Sequence, residues 1–292
     1  MSARTPAPPR VAFQGERGAF SEEAAVRLLG ERVALVPRPT FESLFAAVAE
    51  GAADFALAPV ENSLAGSVQR SYDLLLETSL HIAAEVVISI QHYLIGCPGS
   101  SLGSIRTVES HPVALAQCER FFAEHPEIRR VATEDTAGSV AQVVKRGDPT
   151  RAAIAGRRAA EIYGGTILRE RLEDHGENYT RFVLLTPSPA TPDGADKLSL
   201  VLKLPHRPGA LHHALEPFAR RQIDLLKIEG RPVKGEPWEY YIFLDLSASL
   251  NDRGAADALE ELRGRTASVR VLGCYPSARS IESDELRNGR NL

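Results

Sequence analysis

The 292-residue sequence predicts an α/β protein: two strand–helix lobes followed by a small βαββαβ sandwich. Three observations predict it. Short apolar runs alternate with amphipathic stretches through the first two-thirds of the chain. "TPSPATPDGADK" (186–197), dense in Pro, Gly and small polar residues, then interrupts the pattern. Beyond it the order of elements becomes strand, helix, strand, strand, helix, strand.

The first domain spans 8–187, and "RVAF" (10–13), "VALV" (33–36) and "FALAPV" (55–60) read as its first strands. Between them, "FSEEAAVRLLG" (20–30) and "TFESLFAAVAEG" (40–51) each carry a Ser or Thr cap, early acidic residues and a Gly stop, the punctuation of helices. Such alternation implies parallel sheets covered by helices. "SLHIAAEVVISIQHYLIG" (79–96) is a long extended stretch carrying the chain from lobe one (8–85) into lobe two (86–177). Lobe two comprises strands at 105–110, 129–135 and 152–156, with helices at 112–124 and 136–146. "ENYTRFVLL" (177–185) returns the chain, so 178–187 completes lobe one. Two α/β lobes joined by crossing strands leave a cleft, the default place for a small ligand. After a linker at 188–196, the second domain (197–277) has strands at 198–204, 224–230, 239–246 and 268–274 and helices at 209–221 and 255–264. That is a ferredoxin-like sandwich. A polar tail, 278–292, is expected to fray.

Composition excludes several function classes. The chain is 43% hydrophobic and 25% charged, with a net charge of -4, so no global field favours nucleic acid or acidic lipid. The N-terminal stretch lacks the apolar core of a secretory signal, and nothing approaches the roughly 20 apolar residues of a membrane helix. Cys97, Cys118 and Cys274 are odd in number and widely spaced, which argues for reduced thiols in a cytoplasm. There is no CxxC or HExxH, which argues against a metal enzyme.

Four loops place polar residues where strands end, which is where α/β folds build sites. "GERGAF" (15–20) opens a helix whose free N–H groups suit an anion. "PVENSLAGS" (59–67) puts Glu61, Asn62 and Ser63 directly after a strand. "ESHPVALAQC" (109–118) sets Ser110 and His111 before a helix, with Gln117 two turns in. "TEDTAGS" (133–139) sets Glu134 and Asp135 at another helix start. Taken singly, Ser110, Asp135 and Thr136 are explained by capping and His111 by a backbone contact. Their convergence on one cleft with Asn178, Thr180 and Arg181 is what points to a site.

At these residues the chain resembles the prephenate dehydratases. The resemblance runs from about Val11 to Pro276 and rests on "GAFSEEAA", "PVENSLAGSV", "SHPVALAQC", "EDTAGS", "NYTRF" and, in the second domain, "GAL" and "RPVKGEPWEYY". It implies a bilobal catalytic domain like the type II periplasmic binding proteins, and an ACT domain that senses phenylalanine. It also implies conversion of prephenate to phenylpyruvate with no cofactor or metal, aromatisation supplying the driving force. Carried over by residue, Thr180 matches the essential threonine, and Glu61, Asn62, Ser110, Gln117 and Glu134 match other site positions. Ser63 and Asn178 are expected beside them on the substrate. One departure is Tyr163-Gly164-Gly165, where the family reads Tyr-Gly-Leu, and it bears on packing more than chemistry.

The chemistry fits these residue types. Hydroxide leaves poorly, so the site must donate a proton to that oxygen. Thr180 can hydrogen-bond it, but a neutral hydroxyl is not the ultimate acid. Glu61 or Glu134, kept protonated by desolvation, fills that role, and sequence leaves both open. Arg181 invites assignment as a carboxylate clamp. Clamping the departing ring carboxylate would stabilise charge that must disperse in the transition state, so the pyruvyl carboxylate is the only sensible target. Strand alternation opposes even that, because Thr180 and Arg181 should face opposite sides. The expectation is that Thr180 faces substrate and Arg181 braces the site by pairing with a carboxylate.

In the family, motifs reading Gly-Ala-Leu-Val and Glu-Ser-Arg-Pro shape a phenylalanine pocket between two ACT domains. Here they read Gly209-Ala210-Leu211-His212 and Glu229-Gly230-Arg231-Pro232, each departing once. The resemblance therefore implies L-phenylalanine as effector and a homodimer or homotetramer; the bland alternative is a sandwich serving only dimerisation. Two further readings stand beside the dehydratase. An arogenate dehydratase differs only in an amino group on the substrate, and a non-catalytic binding protein would share the bilobal fold.

Overall fold

The computed structural model describes residues 7–278, so the tail expected over 278–292 lies outside the described residues apart from Ala278. In chain order the elements begin β1 (Arg10–Gln14), α1 (Phe20–Leu29), β2 (Ala34–Arg38), α2 (Phe41–Ala49), β3 (Phe55–Asn62), β4 (Gly66–Ser67), α3 (Gln69–Glu77) and β5 (His81–Ser89). There follow β6 (Tyr93–Gly96), β7 (Thr107–Ser110), α4 (Pro112–Ala116), α5 (Glu119–Glu124), β8 (Arg129–Ala132), α6 (Thr136–Arg146), β9 (Arg151–Ala155), α7 (Arg157–Tyr163), β10 (Thr166–Arg169) and β11 (Tyr179–Thr186). The last set is β12 (Lys197–Lys203), α8 (Ala210–Ala219), β13 (Leu225–Pro232), β14 (Tyr240–Leu246), α9 (Arg253–Arg263) and β15 (Ser268–Tyr275).

The first sheet runs β2-β1-β3-β11-β5, with β4 paired to β3, and β1 is parallel to both neighbours. The second runs β10-β6-β9-β7-β8. Its β7 is parallel to β8 and β9, but β6 is antiparallel to β9 and β10, so this sheet is mixed where alternation predicted parallel strands throughout. The third sheet, β13-β14-β12-β15, is fully antiparallel and carries α8 and α9, the ferredoxin-like order.

Several elements differ from expectation. The extended stretch 79–96 breaks at Ile90–His92 into β5 and β6, and the helix expected over 112–124 breaks at Gln117 and Cys118 into α4 and α5. The reason for the second break is a distant carboxylate: Asp174 accepts the Glu119 and Arg120 backbone N–H groups and so caps a fresh helix start. Helices α3 and α7 and strands β4 and β10 form where the sequence predicts no element.

The chain forms two compact units, one comprising residues up to Val68 with Val87–Phe182, the other Gln69–Val86 with residues from Val183 onward. In the first unit both lobes share one core: Phe13 and Ala19 pack with Tyr93, Ile95, Val140, Val143, Ala155 and Ala159. The lobes also meet at polar groups. Glu22 of α1 is fully buried, taking hydrogen bonds from Arg17, Arg158 and the Gly18 N–H. Gly165, the departure noted above, sits where an added Cβ would lie 2.5 Å from Ile95 Cγ2, so the missing side chain leaves no hole.

In the second unit Leu198, Leu200, Leu202, Phe218, Leu244 and Leu259 form the core between sheet and helices. Helix α3 belongs to this unit. Tyr72 meets Phe243 edge-on at 4.8 Å, Arg231 grips both oxygens of Asp73, and Arg270 donates to the Leu75 and Leu80 carbonyls.

Candidate active site

A cavity of about 480 Å³ opens in the first unit, lined from both lobes by, among others, Phe20, Asn62, His92, Gln117, Glu134 and Thr180. Each enters for a local reason. Asn62 ends β3, and its Oδ1 accepts the N–H groups of Leu64 (3.0 Å) and Ala65 (2.8 Å), which closes the turn into β4. Its Nδ2 is thereby turned inward, its two hydrogens shared among Asn178 Oδ1 (2.8 Å), Thr180 Oγ1 (2.9 Å) and the Tyr179 carbonyl (3.1 Å). Gln117 occupies the break between α4 and α5, held by its carbonyl, which accepts the Asp174 N–H at 2.7 Å. Its Oε1 receives Asn178 Nδ2 at 3.0 Å and meets His92 Nε2 at 2.9 Å. Glu134 precedes Asp135, whose side chain caps α6 through the Gly138 N–H.

The sequence-derived candidates thus sort into three positions. Asn62, Gln117, Glu134 and Thr180 line the cavity. Asn178, fully buried, stands behind them and joins Asn62 to Gln117. Ser63, Ser110, Glu61 and Arg181 lie off the lining. Ser63 Oγ accepts the Tyr179 N–H and donates to the Glu177 carbonyl, stitching the β3 turn to the start of β11. Ser110 is fully buried and donates to the Ile154 carbonyl at 2.6 Å, while His111 rather than Ser110 caps α4. Arg181 Nη1 lies 3.9 Å from Glu61 Oε2.

His92 escaped the sequence reading. It is 2% exposed, its N–H donates to Glu173, and its ring packs edge-on to Phe20. Burial pushes its pKa below the ordinary histidine value, against the opposing pull of the Gln117 bond and the Glu173 charge, so the ring is neutral near pH 7. A lone His inside an apolar run was the available signal, since a buried imidazole must find a partner.

In the second unit a cavity of about 480 Å³ is lined by Leu204, Arg207, Ala210, Leu211, Trp238 and Tyr240 among others. Of the effector residues expected between two ACT domains, Ala210 and Leu211 line this single-chain cavity; Gly209, Glu229, Arg231 and Pro232 lie off it, and Arg231 pairs with Asp73. Among the described residues no group of His, Cys, Asp and Glu is placed to hold a metal, and no helix is long and apolar enough to cross a membrane.

Comparison with known proteins gives this geometry a family. The prephenate dehydratase family model matches residues 11–190 and the ACT domain model residues 198–264. Arogenate dehydratase/prephenate dehydratase 2, chloroplastic, of Arabidopsis thaliana is 41% identical over 279 residues, covering 91% of this chain and 72% of that one. A prephenate dehydratase from Arthrobacter aurescens, solved in complex with L-Phe, superposes with a TM-score of 0.84 at 32% identity, covering 92% of this chain and 90% of its own. GqqA, described as a novel type of quorum quenching acylase, superposes equally well, with a TM-score of 0.84 at 34% identity, covering 92% of this chain and 98% of its own. With a catalytic-domain match over more than half its length and an ACT domain behind it, the chain belongs to the prephenate dehydratase family.

Proposed function

We propose that the protein converts prephenate to phenylpyruvate, carbon dioxide and water, with its catalytic domain over 8–187 and its regulatory ACT domain over 197–277. The observation that carries this is the pairing at Thr180: its Oγ1 accepts the Asn62 amide, so its own hydrogen is free for the cavity. A hydroxyl donor aimed into a pocket is what a departing hydroxyl needs. In the reaction the bond to the ring carboxylate breaks, its electron pair enters the ring, and the C–O bond opposite breaks. The leaving oxygen takes a proton and departs as water. Glu134 shares the cavity with Thr180, whereas Glu61 lies off the lining beside Arg181, which supports Glu134 as the proton source, although Glu134 is exposed and lacks the desolvation expected of the acid. Among the described residues no Lys or Arg lines the cavity. The pyruvyl carboxylate is received instead by amide donors: Gln117, and the N–H groups of Phe20 and Ser21 at the start of α1, since that of Glu22 is bonded to the Ala19 carbonyl. Arg181, on the face away from the cavity, is the brace of the β3 and β11 ends.

L-Phenylalanine is the proposed effector, bound at the second-unit cavity; the Arthrobacter relative was solved with it. The two motif departures leave that cavity intact. His212 is exposed and off its lining, and a side chain at Gly230 would meet only Ile242, at 3.9 Å. Leu226, Ile228, Trp238 and Tyr240 are 42%, 46%, 83% and 46% exposed, an apolar surface suited to a second copy, so a homodimer or a dimer of dimers is the proposed assembly. Three buried free cysteines are in keeping with a cytoplasmic location.

The likeness to GqqA raises acyl hydrolysis as a second reading. That chemistry needs a nucleophile within reach of a base. Thr180 is bonded to an amide, which takes no proton, and this favours the dehydratase. The deciding experiment incubates the protein with prephenate, with arogenate and with an acylated amine, with and without L-phenylalanine. Phenylpyruvate from prephenate, reduced by L-phenylalanine, is the expected result. Phenylalanine formed from arogenate alone reassigns the substrate, and acid release from the acylated amine alone overturns the reading.

A further inference from the structure

The hydrogen bonds around Thr180 can run in only one direction. Asn62 is fixed at both ends by backbone groups that cannot reverse roles: the Leu64 and Ala65 N–H groups donate to its Oδ1, and the Tyr179 carbonyl accepts from its Nδ2. Nδ2 therefore donates to Asn178 Oδ1, which turns the Asn178 amide so that its own Nδ2 donates to Gln117 Oε1. With the oxygen of Gln117 facing inward, the 2.9 Å contact from His92 Nε2 is a hydrogen bond only if that nitrogen carries the hydrogen. His92 Nδ1 is then a bare lone pair, and it is one of three buried side-chain N or O atoms without a partner among the described residues. A hydrogen there would be a buried donor with nothing to bond, so the orphan atom and the chain of amides agree on the tautomer.

Gln117 Oε1 is thus held by two donors, and the Gln117 Nε2 group, which has no partner among the described residues, is the part of that side chain left for the cavity. We propose that His92 is a positioning residue: fixed as its Nε2–H tautomer, it locks the Gln117 amide with its NH2 group presented to the substrate. The ring does not touch the reacting atoms and passes no proton. Its contribution is orientation, with Phe20 packed against its edge and the Glu173 carboxylate holding its backbone N–H. The role of Gln117 as a substrate donor rests on the dehydratase reading; the tautomer does not.

The test has two arms on the full chain. Nitrogen NMR of the histidine-labelled protein at neutral pH reads the tautomer directly, without reference to activity. The expected result is a hydrogen on Nε2 and none on Nδ1; a hydrogen on Nδ1, or on both, overturns the proposal. In the kinetic arm, His92→Leu removes the donor, and kcat/KM for prephenate falls roughly tenfold to a hundredfold. His92→Gln returns an NH2 near the Nε2 position and recovers most of that loss. Equal activity of the two variants overturns positioning through Gln117, because a merely structural histidine would not distinguish a donor from an apolar filler. If His92→Leu does not fold, the NMR arm decides alone. If the unmodified protein turns over no prephenate, the functional reading fails while the tautomer is still measured.

Discussion

Asn62 donates to Thr180 Oγ1 at 2.9 Å, and that one bond sets which way the threonine hydroxyl points. Thr180→Val keeps the shape and removes the hydroxyl. It should lower kcat by about 10²–10⁴-fold, the usual range for a lost proton-transfer partner, with little change in melting temperature. Asn62→Asp keeps the shape but replaces the donor Nδ2 with an acceptor oxygen, so Thr180 must turn its hydrogen toward the new carboxylate and away from the cavity. Steady-state kinetics should find kcat reduced in both variants. An Asn62→Asp enzyme with normal kcat would contradict the orientation.

Glu22 is fully buried between the lobes. Burial alone would raise its pKa, but hydrogen bonds from Arg17, Arg158 and the Gly18 N–H together outweigh it and hold the carboxyl below its ordinary value. A carboxylate lowered in the folded state contributes stability that is complete above the unfolded pKa, about 4.3 for Glu, and is lost as pH falls through the folded value. Glu22→Gln should therefore cost about 1–3 kcal/mol at neutral pH, since it leaves a buried neutral amide facing Arg17 and Arg158, whose side chains are 49% and 26% exposed. Urea unfolding of both proteins down to acid pH checks this: the gap must narrow as pH drops below about 4. A gap independent of pH would mean that the carboxylate is not the source.

With Arg181 off the cavity lining and 3.9 Å from Glu61, the proposed bracing role predicts that Arg181→Lys lowers melting temperature and kcat together, because a point charge does not reproduce a planar guanidinium. The stability loss should be at most about 1 kcal/mol. A variant of unchanged stability whose KM alone rises would restore the clamp that strand alternation argues against.

Much of this site was legible in the sequence because its parts are local. Asn62, Glu134 and Thr180 sit at strand ends and helix caps, and those are written in neighbouring residues. Alternation along β11 likewise separated Thr180 from Arg181. What escaped depends on distant partners. The break that places Gln117 is made by the Asp174 carboxylate, and Ser110 is claimed by the Ile154 carbonyl across the second sheet. His92 was hidden inside a stretch read as one strand, and its meaning comes from an amide on α4's far end. Arg231 pairs with Asp73 of helix α3, a partner far away in sequence that no local motif announces.

Gly165 tests packing. Restoring the leucine common in the family should destabilise this chain, because its Cβ would meet Ile95 Cγ2 at 2.5 Å in a shared core. Overpacking of that kind costs about 1–3 kcal/mol. Thermal unfolding of Gly165→Leu alone and with Ile95→Ala separates the causes. The second change should recover part of the loss, and a double variant worse by the full sum of both would mean that the two residues do not compete for space.

The last prediction concerns Arg231 and Asp73, a two-pronged pair with side chains 15% and 19% exposed. Because each removal strands a partly buried charge, Arg231→Ala and Asp73→Ala should each cost about 1–3 kcal/mol, and the double variant little more than either. The coupling in that cycle measures the pair. Calorimetric titration with L-phenylalanine then asks whether Arg231 also serves the effector. Tyr240 lines the second cavity and Arg231 does not, so Tyr240→Ala should weaken L-phenylalanine binding more than Arg231→Ala. The opposite ranking would return Arg231 to the effector site, and would require its guanidinium to leave Asp73 when the amino acid binds.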